Sequence, residues 1–99
     1  MEMPKISKCE VTECSYNQNA LCHAIAITVG GDHPVCDTFC GEKAKGGVAD
    51  ATGSVGACKE SDCKFNESLE CSAPSITVAH HYGHADCATF TQDKNLGLP

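Results

Sequence analysis

Large apolar residues are sparse along this chain and gather in short runs. Ile25, Ile27 and Val29 alternate with Ala26 and Thr28, a two-residue period that predicts a strand over residues 25–29 with one apolar face. Residues 75–79 carry a second run rich in β-branched side chains and predict a matching strand. Each run is followed by a Cys-x-Thr-Phe segment, Cys36 to Phe39 and Cys87 to Phe90. These read as short strands pairing back, so that each unit is built on a β-hairpin. Asn17-Gln18-Asn19 and Asn66-Glu67-Ser68 predict turns, because Asn and Ser bond their own backbone and tolerate positive φ. Lys43-Ala44-Lys45 is compatible with a single helical turn, but the glycines from Gly41 to Gly56 rule out a long helix there.

The same pattern occurs twice. Cys9, Cys14 and Cys22 recur at Cys58, Cys63 and Cys71, each 49 positions later. Asn17, Ala24 and Ile27-Thr28-Val29 recur at Asn66, Ala73 and Ile76-Thr77-Val78 with the same displacement. Tyr16 and Phe65 keep an aromatic in place. Past the second Ile-Thr-Val, two extra residues shift the register to 51, and His33, Cys36, Thr38 and Phe39 then match His84, Cys87, Thr89 and Phe90. An indel in a loop is the tolerated kind. The organisation expected is a first module at residues 5–41, a Gly-rich linker at 42–55, a second module at 56–92 and a frayed tail at 93–99. Pairing of the two Ile-Thr-Val strands with each other would join the modules about a pseudo-twofold axis.

Composition explains why cysteine is needed. Leu, Ile, Val and Phe make up 17 of 99 residues and the net charge is -6, a balance at which a chain stays disordered unless tied. Nine cysteines are the available ties, as disulfides or as metal ligands. The first residues, Met1 to Ser7, show no apolar run of the secretory kind, and the longest apolar stretch, residues 24–29, is too short to span a membrane. A cytoplasmic location is therefore expected, where thiols stay reduced and bind metal more often than they pair. With 13 Asp and Glu, 7 Lys and no arginine, a phosphate backbone would be repelled. Neither nucleic acid nor membrane is an expected partner; a protein is.

Four cysteines per copy recur in register, which leaves Cys40 as the odd one. The sets are Cys9, Cys14, Cys22, Cys36 and Cys58, Cys63, Cys71, Cys87. Zinc suits them, being tetrahedral, soft enough for thiolates and without redox chemistry. Two ions per chain are expected. Structural zinc contributes on the order of 10–16 kcal/mol in small zinc peptides, so the metal-free chain is expected to be largely unfolded. The Cys-x4-Cys spacing is longer than the familiar Cys-x2-Cys, and the duplication is what strengthens the reading. Disulfides and an iron–sulfur cluster remain competing uses of the same thiols; the spacings match no ferredoxin run, and no Cys-x-Cys or Cys-Cys pair is present to bridge metals as in a thiolate cluster.

The histidines divide. His33 and His84 stand three residues before a ligand cysteine, where they could replace a ligand or bond a thiolate. His80, His81 and His84 crowd the longer loop, either as a plain polar loop or as a weak surface site for zinc, nickel or copper. His23, without a counterpart, reads as a bystander or substitute ligand. Cys40 is either a redox-sensitive thiol or a small buried residue.

The residues Cys9, Cys14, Tyr16-Asn17, Cys22, Ala24, Ile27-Thr28-Val29 and Cys36-Asp37-Thr38-Phe39, with their second copies, resemble the bacterial cysteine-rich family known as domain of unknown function 1540. The tandem form with a Gly-rich connection looks like actinobacterial members. The resemblance implies a metal-binding module with four cysteine ligands, carried to the eight positions above; Cys40 and the histidines lie outside the motif.

The expected fold is small, metal-stabilised and β-rich, with two tandem β-hairpin-like zinc modules related by a pseudo-twofold repeat. Four thiolates close the metal shell and leave no position for water, so an enzyme is not expected. The expected role is a structural or protein-interaction module; metal buffering, storage or sensing, and a zinc–thiolate redox switch through Cys40, are the alternatives.

Overall fold

In a computed structural model of the chain, which describes residues 3–31, 33–41, 45–48, 50–81 and 83–92, every regular element is a strand. The elements are β1 (Lys5–Cys9), β2 (Asn17–Gln18), β3 (Leu21–Cys22), β4 (Ile27–Val29), β5 (Val55–Cys58), β6 (Asn66–Glu67), β7 (Glu70–Cys71), β8 (Ser75–His81) and β9 (His84–Cys87). The fold is small and β-rich, and among the described residues no helix is long and apolar enough to cross a membrane. Of the predicted helical turn, Lys43 and Ala44 lie outside the described residues, as does the tail at 93–99.

The predicted turns are two-residue hairpins. β2 pairs β3 and β6 pairs β7, antiparallel, around Asn19-Ala20 and Ser68-Leu69. All four loop residues have positive φ, between 53° and 67°, the geometry that matches the twist of the flanking strands. Asn and Ser accept it readily. Ala20 and Leu69 do so at a cost of about 1–2 kcal/mol each.

The pairing of the long strands differs from expectation. The two Ile-Thr-Val strands do not pair with each other; each pairs, in parallel, with the first strand of the other copy. β1 lies on β8 with Ile6 opposite Ile76 and Cys9 opposite Val78. β5 lies on β4 with Val55 opposite Ile27 and Cys58 opposite Val29. Both ladders shift register at the same place, between Ile6 and Lys8 in one and between Ile27 and Thr28 in the other. Where β1 and β5 cross, Ile6 N–H donates to Gly53 O at 2.8 Å and Val55 N–H to Pro4 O at 3.0 Å. The pseudo-twofold is real, and it operates by reciprocal exchange of first strands.

The predicted return strands form only in part: a strand returns in copy two but ends at Cys87, copy one has none, and both Cys-x-Thr-Phe segments continue as turns. In copy two β8 and β9 make a four-pair ladder; in copy one the contact is a single Val29–Cys36 bridge. Asp37 N–H bonds Thr28 O, Ala88 N–H bonds Thr77 O, and the Thr38 and Thr89 hydroxyls accept from Thr28 and Thr77 N–H. The two extra residues of copy two lengthen β8 to His81. At the other end β4 begins at Ile27 rather than Ile25, which is 68% exposed. Its partner strand starts at Val55, so Ile25 lies beyond the ladder.

Ile6, Val11, Ile27, Val29, Val55, Ile76 and Val78 form one cluster with the cysteines of both copies. Gly53, Ser54 and Val55, which glycine content assigns to the linker, are buried. Gly53 must be glycine, since a Cβ there would stand 2.7 Å from the Cys22 sulfur and 2.9 Å from its Cβ.

Candidate metal centre

The repeat positions its cysteines by backbone bonds that are themselves repeated. Cys9 ends β1 and Cys58 ends β5, and the next residues bond the other copy: Glu10 N–H to Val78 O, Lys59 N–H to Val29 O. Asn17 Nδ2 donates to Cys9 O at 2.8 Å and Asn66 Nδ2 to Cys58 O at 2.9 Å, which is why Asn recurs. The Cys-x4-Cys turn closes through Cys14 N–H on Val11 O and Cys63 N–H on Glu60 O. Cys22 and Cys71 end the hairpins, Cys87 ends β9, and Cys36 is held by its bridge to Val29.

These elements bring each predicted set to one small cavity. Cys9, Cys14, Cys22 and Cys36 line one of about 20 Å³ together with Ile6, Val11 and Tyr16 of their own copy and Val78 and Ala85 of the other. Cys58, Cys63, Cys71 and Cys87 line one of about 10 Å³ together with Val55, Phe65 and Ile76 of their own copy and Val29 and Pro34 of the other. Space of that size suits a single ion or water and excludes an organic ligand. No disulfide joins the nine cysteines in this structure, and of the eight lining residues only Cys87 is not buried.

Burial pushes the Cys36 thiol up to about 11, helped by charge on Cys22, Cys14 and Cys9 and opposed by the Thr38 N–H bond to sulfur. Burial likewise raises Cys87 to about 11, with Cys71 and Cys63 adding and the Thr89 and Phe90 N–H groups opposing. Cys22 and Cys71 are raised by burial and by their own set, while Ala24 and Ala73 N–H groups lower them. Each set thus interacts within itself. A cation would remove the mutual repulsion, and the N–H···S bonds two residues on are positioned to favour thiolate. Those donors were missed in the sequence, although the recurring Cys-x-Ala and Cys-x-Thr spacings carried the signal.

As placed, no three His, Cys, Asp or Glu side chains among the described residues stand in an arrangement that could hold a metal ion. The thiols face a common cavity without closing on one point. A cysteine thiol turns about a single torsion with three staggered positions, so side-chain rotation is the simplest motion by which the sulfurs could draw together. The donor chemistry and the size of the cavity fit a small soft or borderline cation.

The histidines do not join these cavities. His23 Nδ1 donates to Ala51 O at 2.9 Å, tying the linker to copy one. His33 and His84, expected close to the thiols, line neither cavity; His33 Nδ1 bonds Asp86 Oδ2 at 2.7 Å. His80 Nε2 reaches both Glu13 carboxylate oxygens, at 2.8 and 3.0 Å. Cys40 is half-buried, outside the cavity walls, and its carbonyl accepts from Ser15 N–H at 2.6 Å.

The chain matches the family model described as Domain of Unknown Function (DUF1540) in two segments, residues 8–46 and 57–90. The chain belongs to this family. Compared with curated proteins and with solved structures, it finds no match. As a DUF1540 protein it carries two copies of the module, each segment containing one full set of four cysteines.

Proposed function

We propose that this DUF1540 protein binds two zinc ions, one in each four-cysteine cavity, and that the metal serves to hold a small scaffold in shape for a protein partner. The observation that carries the reading is the convergence of each in-register cysteine set on its own buried, ion-sized cavity. Cys9, Cys14, Cys22 and Cys36 would hold one ion and Cys58, Cys63, Cys71 and Cys87 the other. Bound zinc would supply positive charge in the cavity and join segments distant in sequence.

Burial favours a structural role over a buffer. A buffer must release its ion to a competitor, whereas these thiols lie under a roof contributed by the opposite copy. The same arrangement weighs against a redox switch through Cys40, which stands outside the cavity walls.

Cobalt titration of the reduced, metal-free chain tests this. Two equivalents giving the intense visible bands of tetrahedral cobalt–thiolate, displaced by zinc and slow to yield zinc to a chelator, are expected. A pale octahedral spectrum would sink the four-thiolate sites. Rapid loss to the chelator would move the role to metal handling.

A further inference from the structure

The two copies also meet at their histidines. Residues 34–36 run antiparallel to 85–87, with Cys36 N–H bonded to Ala85 O at 2.7 Å and Cys87 N–H to Pro34 O at 2.8 Å. Val35 and Asp86 form the bridge between them. This pairing brings together His33 and His84, which hold matching positions in the repeat. Their ring centroids are 4.9 Å apart at an interplanar angle of 64°, and the His81 ring lies 6.1 Å from His33.

Asp86 stands behind this group. Its side chain is 6% exposed and its Oδ2 lies 2.7 Å from His33 Nδ1. An ionised carboxylate can only accept, so Nδ1 carries the hydrogen and Nε2 of the neutral ring keeps its lone pair. The other oxygen, Oδ1, is buried with no hydrogen-bond partner, a costly state for a carboxylate without positive charge nearby. His33, His81 and Asp86 wall a groove of about 460 Å³.

We propose that His33 and His84, one ring from each copy, bind a divalent cation of the zinc, nickel or copper class at this junction. Imidazole nitrogen suits these ions. A carboxylate bonded to the far nitrogen of a ligand histidine fixes the ring and raises its basicity. Two ring nitrogens would be the protein's share, and water would complete the shell. The cation would also offset the charge that Asp86 buries. The site shares no side chain with the cysteine cavities, and it goes beyond the function proposed for them.

The test uses the full chain, reduced and saturated with zinc, with Ni²⁺ as the probe. Calorimetry should show one saturable equivalent. Ring NMR signals of His33 and His84 should broaden before that of His23, because nickel bound by nitrogen and oxygen is paramagnetic. His84→Gln, at an exposed position, should weaken binding at least tenfold without unfolding the chain. Asp86→Asn should weaken it on the order of tenfold. No saturable equivalent, binding unchanged in His84→Gln, or uptake that appears as nickel–thiolate absorption without ring broadening would each overturn the proposal.

Discussion

Copy one and copy two hold their four thiols by the same backbone bonds, yet neither copy builds its cavity alone. The first is roofed by Val78 and Ala85 of copy two; the second by Val29 and Pro34 of copy one. What differs is the approach to the third cysteine. On Cys22 the linker presses Gly53, whose N–H donates to Cys22 O at 2.7 Å. The residue 49 positions before Gly53, ahead of β1, is Pro4, which has no N–H with which to make the equivalent bond to the other copy. Thus the motif residues set the shared features, while the connection between copies sets the asymmetry. Exchange of first strands makes each site depend on both halves of the chain.

That dependence can be broken most forcefully at the exchanged strands. Ile6, fully buried and paired with Ile76 of the other copy, should cost about 2–5 kcal/mol when replaced by Ala. NMR of Ile6→Ala should show shifts around Ile76 and Val78 as well as in copy one. Confinement of the shifts to copy one would mean that the halves are independent. The asymmetry is sharpened by Gly53→Ala. The added Cβ collides with Cys22, so overpacking of about 1–3 kcal/mol should weaken metal retention in the first cavity and spare the second. Native mass spectrometry of single-site variants would separate the two.

pH treats the copies alike. Cys36 and Cys87 are both raised from an ordinary value of 9.0 to about 11. In the metal-free fold their contribution is therefore fully present below about pH 9 and is lost as pH rises toward 11. Whatever structure metal-free protein retains should melt earlier across that window, in thermal scans followed by circular dichroism. Bound metal reverses the sign, because ions compete with protons and are lost as pH falls. The smallest effect belongs to the hairpin turns. Ala20→Gly and Leu69→Gly should each stabilise by roughly 0.5–1 kcal/mol, relief of the left-handed residue less the added chain entropy. Equal gains in the two copies, read by denaturant midpoints, would show the turns to be equivalent.

Much of this architecture was legible in the sequence. The cysteine sets, the Ile-Thr-Val strands and the turns at Asn19 and Ser68 were all marked by repetition, whereas the Cys-x-Thr-Phe segments, expected as strands, are turns that follow the bridged Cys36 and the end of β9. The first strands were not so marked. Lys5 to Cys9 offers one large apolar residue, Ile6, and no periodicity; Val55 to Cys58 hides behind the glycines of the linker. Both are strands because a parallel partner from the other copy covers them, a contact between residues about 70 apart in one case that local pattern does not encode. Asp86 was missed for the same reason. Its link to His33 spans 53 positions, and nothing beside it in sequence announces a buried carboxylate.

The central claim, one ion per cysteine set, is tested most directly by weighing the protein. Native and denaturing mass spectrometry of one sample, purified without added metal or reductant, should give a native mass two zinc ions heavier than the denatured reduced chain. Cys36→Ser should take away the first ion. A native mass with no metal, together with a denatured mass lighter by the hydrogens each disulfide expels, would contradict the account.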